Sequence, residues 1–164
     1  MTPQKQRVLR FNLAHYRKGD CSEENCHYFC TKLHAKQAAT LHAKHGVLHY
    51  NQVYSTEATR MVLASFQQSL GAGWDMTRQD LRVELYVRDL ATLRAIAADP
   101  EFATFHELEK PYLSSDHVAV SLGLVEVYIE DGKVVNLADD GSSEYAPAYA
   151  AFVGASGELG RALE

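Results

Sequence analysis

The segment HYFCTKLHAKQAATLHAKHGVLHY, residues 27–50, holds five of the chain's eight histidines: His27, His34, His42, His45 and His49. Cys26 and Cys30 stand at its front, with Cys21 just upstream. Imidazole exchanges protons near neutral pH and is also the commonest metal ligand, so both chemistries need weighing. Cys26, Cys30 and His34 fall at i, i+4 and i+8 on one helix face. Neighbouring members of that row could chelate. Three ligands spread along about 12 Å of helix, at 1.5 Å rise per residue, do not converge on one ion. The sequence has no CxxC pair and no HExxH, so no metal site is expected. It has no glycine-rich phosphate loop and no GxSxG elbow, so no cofactor is expected either. Acid–base work by imidazole and phenol remains.

These side chains need elements to hold them. RVLRFNLAHY (7–16) alternates and ends in the charged turn RKGD, which predicts a strand. Ser22 is an expected N-cap, with Glu23 and Glu24 in a first turn whose dipole favours negative charge. That helix should run to about Lys44, with Cys26, Cys30, Leu33, His34, Gln37 and Leu41 facing inward. Gly46 ends it in the left-handed conformation. VLHYNQVY (47–54) is a second strand. Residues 55–71 form a short helix, capped by Ser55 or Thr56, whose apolar contacts are Met61, Leu63, Phe66 and Leu70. DLRVELYV (80–87) is a third strand with Leu81, Val83, Leu85 and Val87 on one face and Arg82, Glu84 and Tyr86 on the other. RDLATLRAIAAD is helical, and PEFATFHELEKPYL continues or restarts the helix after Pro100. HVAVSLGLVEVYI (117–129) is a fourth strand, followed by an EDGK turn.

The order strand, helix, strand, extra helix, strand, helix, strand is the split βαβ, ferredoxin-like α+β pattern. Residues 1–130 would form this domain. Residues 131–164 would be an extension, loosely docked or ending in a short helix. Two helices cover one sheet face. The strands read as apolar on both sides, Arg82, Glu84 and Tyr86 aside, and an open apolar face calls for a partner. A homodimer with sheets face to face, a dimeric α/β barrel, is therefore expected.

The 164 residues fit one domain, and a 46% apolar share supports a real core. A net charge of −5 weighs against nucleic-acid binding, which needs a basic face. No apolar run reaches membrane-span length, and the N-terminus shows no secretory signal. Three clustered cysteines point to a reducing, cytoplasmic setting and not to a disulfide framework.

Among single residues, His34 on the apolar helix face is the leading acid–base candidate, where partial burial tunes an imidazole; the plainer reading is a hydrogen-bonded core histidine. Tyr50 sits on the opposite pleat from His49 and could hold or protonate a substrate oxygen, or simply pack. Tyr16, Glu84 and Tyr86 are polar members of apolar strands. Glu84 in a sheet centre needs a partner, expected in Arg82, Arg10 or a second copy. Trp74 and Asp80 would form the cleft mouth. His45 suits a helix C-terminus. His27 and His42 fall off the inward face.

FNLAHYRKGDCSEENCHYFCTKLHAKQAATLHAKHGVLHY resembles the EthD family of dimeric α/β barrel proteins. The shared features are a strand ending HYRK, a helix opening SEE, an aromatic followed by a helical His, and KHGV leading into the second strand. GWDMTRQDLRVELYV and ADPEF fit as well, and the similarity spans roughly residues 7–129. The chain is most similar to fungal members of aromatic polyketide pathways, above all decarboxylases of acids such as atrochrysone carboxylic acid. The resemblance implies a cofactor-free decarboxylase, with cyclase, dehydratase or cofactor-free monooxygenase chemistry and non-catalytic aromatic binding as the alternatives. It carries a catalytic role onto His34 and keeps one open for His45. By strand position alone it adds His117, which would act with a Tyr. One departure stands out: family members often follow the helical His with an apolar residue and Pro, whereas this chain has Ala35-Lys36.

Overall fold

The computed structural model describes residues 5–146. In chain order the elements are β1 (Lys5–Gln6), β2 (Val8–Arg17), α1 (Glu23–Tyr28), a π-helical segment (Phe29–His34), α2 (Ala35–Lys44), β3 (His49–Tyr54), α3 (Glu57–Leu70), β4 (Leu81–Val87), α4 (Leu90–Ala98), α5 (Pro100–Glu109), β5 (Leu113–Val125), β6 (Ile129–Glu130), β7 (Lys133–Val134) and β8 (Tyr145–Ala146). The main sheet runs β3-β4-β2-β5, all antiparallel, which is the ferredoxin-like order. The expected α+β fold with an extra helix is thus present.

Local chemistry explains most boundaries. Ser22, Thr56, Asp89 and Asp99 each accept a backbone N–H at a helix start. Asp99 together with Pro100 in the first turn splits α4 from α5, because Pro lacks the N–H a continuous helix needs. Gly46, at φ +82°, ends α2 as expected. Asp131 and Gly132, both left-handed, turn β6 into β7. β8 pairs in parallel with β1. The tail reading beyond residue 146 lies outside the described residues.

The first helix has its expected extent but is less regular than its sequence implies. Its residues 29–34 take the wider π form, without a proline. An α-helix advances about 100° per residue, so Cys26 and His42 would sit on different faces of an uninterrupted helix. The π segment absorbs about one residue of that advance. Consequently Cys26, Cys30, His34, Ala38 and His42 are all buried, while Leu33 and Gln37 are exposed. The expectation that Leu33 and Gln37 face inward, and that His42 does not, is overturned for this reason.

Two buried clusters lie between helices and sheet. One joins Cys21, Cys26, Phe29, Cys30, Leu81 and Leu113. The other joins Leu41, Leu85, Ile96 and Phe105, flanked by Phe11, Tyr50 and Phe102. The residues expected to seat α3 do not: Met61, Leu63, Phe66 and Leu70 are all exposed.

The open sheet face also departs from expectation. Strand register puts Arg10, Asn12, Glu84, Tyr86, His49 and Asn51 there, so it is largely polar. The apolar residues of β5 pair with Leu9, Phe11, Leu13 and His15 and therefore lie on the helix side. Val120 and Leu122 on that edge strand remain exposed.

Candidate active site

A cavity of about 420 Å³ opens between the sheet and α2, α4 and α5. Its floor is Phe11, Leu13 and His15 from β2 with Val83 and Leu85 from β4. Strand alternation puts His15 on the same face as Phe11 and Leu13. The first helix contributes His34, Ala38 and His42, aligned by the π segment, and β3 contributes Tyr50. Phe102, Phe105, His106 and Glu109 line one side, at the three- and four-residue spacing of a single face of α5.

The polar groups converge at one end. His34 is only 8% exposed, beside the rings of Phe29 and Phe105 at 5.5 and 5.6 Å. Its Nε2 lies 3.2 Å from Glu109 Oε1, within ion-pairing range but off the line of a good hydrogen bond. The other carboxylate oxygen, Oε2, is 3.3 Å from His106 Nδ1. Burial would raise the Glu109 pKa, yet contact with His34 and then His106 outweighs it, so the carboxyl titrates below its ordinary value. Burial pushes His42 down to about 4, helped by the nearby His34 and His45 and opposed by Glu109. His42 Nδ1 is buried without a hydrogen-bond partner among the described residues, and its ring lies 5.0 Å from that of Tyr50. Burial also lowers His15, against the pull of Glu109. Tyr50 is pushed up to about 12 by burial, although Gln52 Nε2 donates to its hydroxyl. At neutral pH the site therefore holds an ionised carboxylate, two uncharged imidazoles and an un-ionised phenol, all in apolar surroundings.

Of the sequence candidates, His34 and Tyr50 reach this cavity. His117 does not. It was expected to open the fourth strand, but β5 begins at Leu113, so His117 sits inside the strand and is exposed. Residues 113–116 join the sheet because β2 bulges between His15 and Arg17 and picks up Leu113 as a partner. Tyr16 is half-buried and does not line the cavity. His45 Nε2 contacts Asp99 Oδ2 at 2.8 Å, joining the end of α2 to the start of α5. Trp74 is exposed against Phe66, at 6.1 Å, and is not at the cavity mouth. Asp80 binds Arg17 N at 2.9 Å and Arg60 Nη2 at 3.1 Å beside a second cavity, of about 210 Å³. Glu84 lies on the open face, held by Arg10 at 3.5 Å and by the Tyr86 hydroxyl at 3.2 Å, so neither Glu84 nor Tyr86 borders the large cavity. Arg10 is one of the partners expected for Glu84.

His15, His42, His106 and Glu109 were not picked out from the sequence. The signals for three of them were present. Strand alternation marks His15, and the spacing Phe102, Phe105, His106, Glu109 marks one face of α5. His42 had no such signal, because its position depends on the π segment.

A family model for the EthD domain matches residues 18–130. A protein of Aspergillus terreus, provisionally named an oxygenase, is 65% identical over 158 residues, covering 96% of this chain and 98% of that protein. The dehydratase iacD of Pestalotiopsis fici is 27% identical over 135 residues, covering 80% and 96%. Among solved structures, an EthD family protein of Bacillus halodurans matches with a TM-score of 0.48 at 10% identity, over 71% of this chain and 96% of that one. A dimeric ferredoxin-like protein of Thermobifida fusca matches with a TM-score of 0.42 at 10% identity, over 76% and 97%. On the family match and the close relative, this chain belongs to the EthD domain family.

Proposed function

We propose that the chain is a cofactor-free tailoring enzyme of aromatic polyketides, and that it decarboxylates a polyketide carboxylic acid. The observation that carries this reading is the pairing of buried His34 with the ionised Glu109 at the end of an apolar cavity. Such a lining weakens the solvation of a substrate carboxylate, and Glu109 repels it. As carbon dioxide leaves, the bonding electrons pass to the neighbouring ketone and form an enolate whose charge is spread away from Glu109. The Tyr50 hydroxyl is the donor for the enolate oxygen, and the imidazolium form of His34 protonates the carbon. The balance is one carboxylate and one proton in, one C–H bond and one carbon dioxide out.

Dehydration is the second reading. The site combines a base with an un-ionised phenol that can protonate a leaving hydroxyl, and one relative carries the name dehydratase. The close relative's name makes oxygenation the third outcome to watch for. A homodimer belongs to the same proposal. The surface a second copy would cover is the open sheet face that carries Arg10, Asn12, Glu84 and Tyr86.

The test is incubation of purified protein with hydroxylated polyketide acids, followed by product mass. Loss of carbon dioxide supports the proposal, whereas loss of water or gain of an oxygen atom replaces it. His34→Ala should slow turnover by about a hundredfold or more, the usual scale for a lost acid–base group. Turnover at the parent rate would remove His34 from the mechanism.

A further inference from the structure

The carboxylate of Glu109 does not end at His34. It bridges two imidazoles of opposite exposure. Oε1 faces the Nε2 of His34, which is almost fully buried, at 3.2 Å. Oε2 faces the Nδ1 of His106, whose side chain is 59% exposed, at 3.3 Å. Behind this bridge lies a small cleft of about 20 Å³, bordered by His15, His106, Glu109, Ser114 and Ser115. That is room for about one water molecule, with polar partners around it. Three groups, His15, His106 and Glu109, therefore form the wall between the apolar cavity and this small cleft, which Lys110, Leu113 and Val118 also border.

We infer that His106 and Glu109 form a proton relay that carries protons from solvent to buried His34. The inference rests on the decarboxylation reading, because that reaction consumes one proton per turnover while dehydration returns the proton it takes. His106 accepts a proton from water on Nε2 and gives its Nδ1 proton to Glu109 Oε2. The Glu109 carboxyl turns about its Cγ–Cδ bond and passes the proton to His34. His34 becomes the imidazolium, protonates the substrate carbon and returns to neutral. The exposed His106 ring exchanges protons with water, losing the one on Nε2 and gaining one on Nδ1, and so restores its starting tautomer. No charge is stranded at any stage, since each group returns to its initial ionisation state. The 3.2 Å His34–Glu109 contact, poorly aligned for a neutral imidazole, is of the kind that tightens when the imidazole is charged. His106 does not act on substrate directly and is a relay residue.

The test is His106→Ala in dilute, non-imidazole buffer. The exposed ring can be removed without opening the core, and thermal melting of the variant checks this. The expected result is a kcat lower by about tenfold with KM unchanged, restored by added imidazole, while the parent shows no response to imidazole. A structural role for His106 gives no recovery with imidazole. A kcat equal to the parent's in dilute buffer, or a loss that imidazole does not restore, overturns the relay. If the parent releases no carbon dioxide from any acid tested, the decarboxylation reading fails separately. The relay, which rests on that reading, falls with it; where carbon dioxide is released, the response to imidazole decides the relay.

Discussion

The front of the first helix, Cys26 with Phe29 and Cys30 at the start of the π segment, faces a packed cluster, where Phe29 stacks on Tyr112 with ring centroids 4.1 Å apart. From the last residue of that segment onward, the same helix presents His34, Ala38 and His42 to a cavity. The thiol end is packed around Phe29, Cys30 and Leu81, and of its buried cluster only Cys26 borders the second cavity. Cys30 is held far above its ordinary pKa, first by its hydrogen bond with Cys26 and then by burial, so it stays a thiol. At the imidazole end the aromatic rings stand around an open volume, and the polar groups keep partners of unequal exposure. One helix therefore supplies both a packing surface and a chemical one, and the wider turn between them keeps both pointed at the sheet. π segments inside α-helices recur at functional sites for this kind of reason.

The comparison breaks most severely if the phase that the wider turn sets is shifted. Inserting one alanine between Ala35 and Lys36 should rotate residues 36–44 by about 100° relative to α1. Leu41 and Ala38, both fully buried, would leave the core. The expected cost is more than about 4 kcal/mol, visible in denaturant unfolding as loss of the folded state or of most of its stability. Leu81→Ala attacks the packed end alone. It should destabilise by about 2–5 kcal/mol, while the turnover of the remaining folded protein changes little. Unchanged stability would show that the thiol end is not a packed core.

Ala38→Leu attacks the cavity alone. The added side chain enters a space that Ala38 borders, so an aromatic ligand should bind about tenfold more weakly, or about 1.4 kcal/mol, with a smaller change in melting temperature. Binding measured by calorimetry checks this, and unaltered affinity would put the ligand elsewhere.

The smallest effect is on pH. His42 titrates near 4 when folded and near its ordinary value of 6.5 when unfolded. The unfolded chain then binds the proton first on acidification. This contribution to stability is complete above about pH 6.5 and is lost as pH falls toward 4. His15, also lowered by burial, acts in the same direction. His42→Leu should flatten the acid-side fall in melting temperature between these values, and an unchanged slope would mean that His42 is not buried as an uncharged ring.

The sequence was enough for the strand and helix order, the cap at Ser22, the stop at Gly46 and the inward placement of His34 and Tyr50. These follow from local rules: alternation, three- and four-residue spacing, and the conformations that Ser, Asp, Pro and Gly prefer. They also carried the EthD resemblance. Three things depended on tertiary structure. The phase of α2 was set by burial of both ends of one helix, which favours the π segment over regular α geometry and brings in His42. His117 was displaced by a bulge in β2 that only strand pairing reveals. The His34–Glu109–His106 bridge joins residues 75 and 72 positions apart in sequence, and no local spacing encodes that meeting. Local propensity depends on neighbours along the chain, whereas a proton-handling site depends on distances across it, and folding alone sets those.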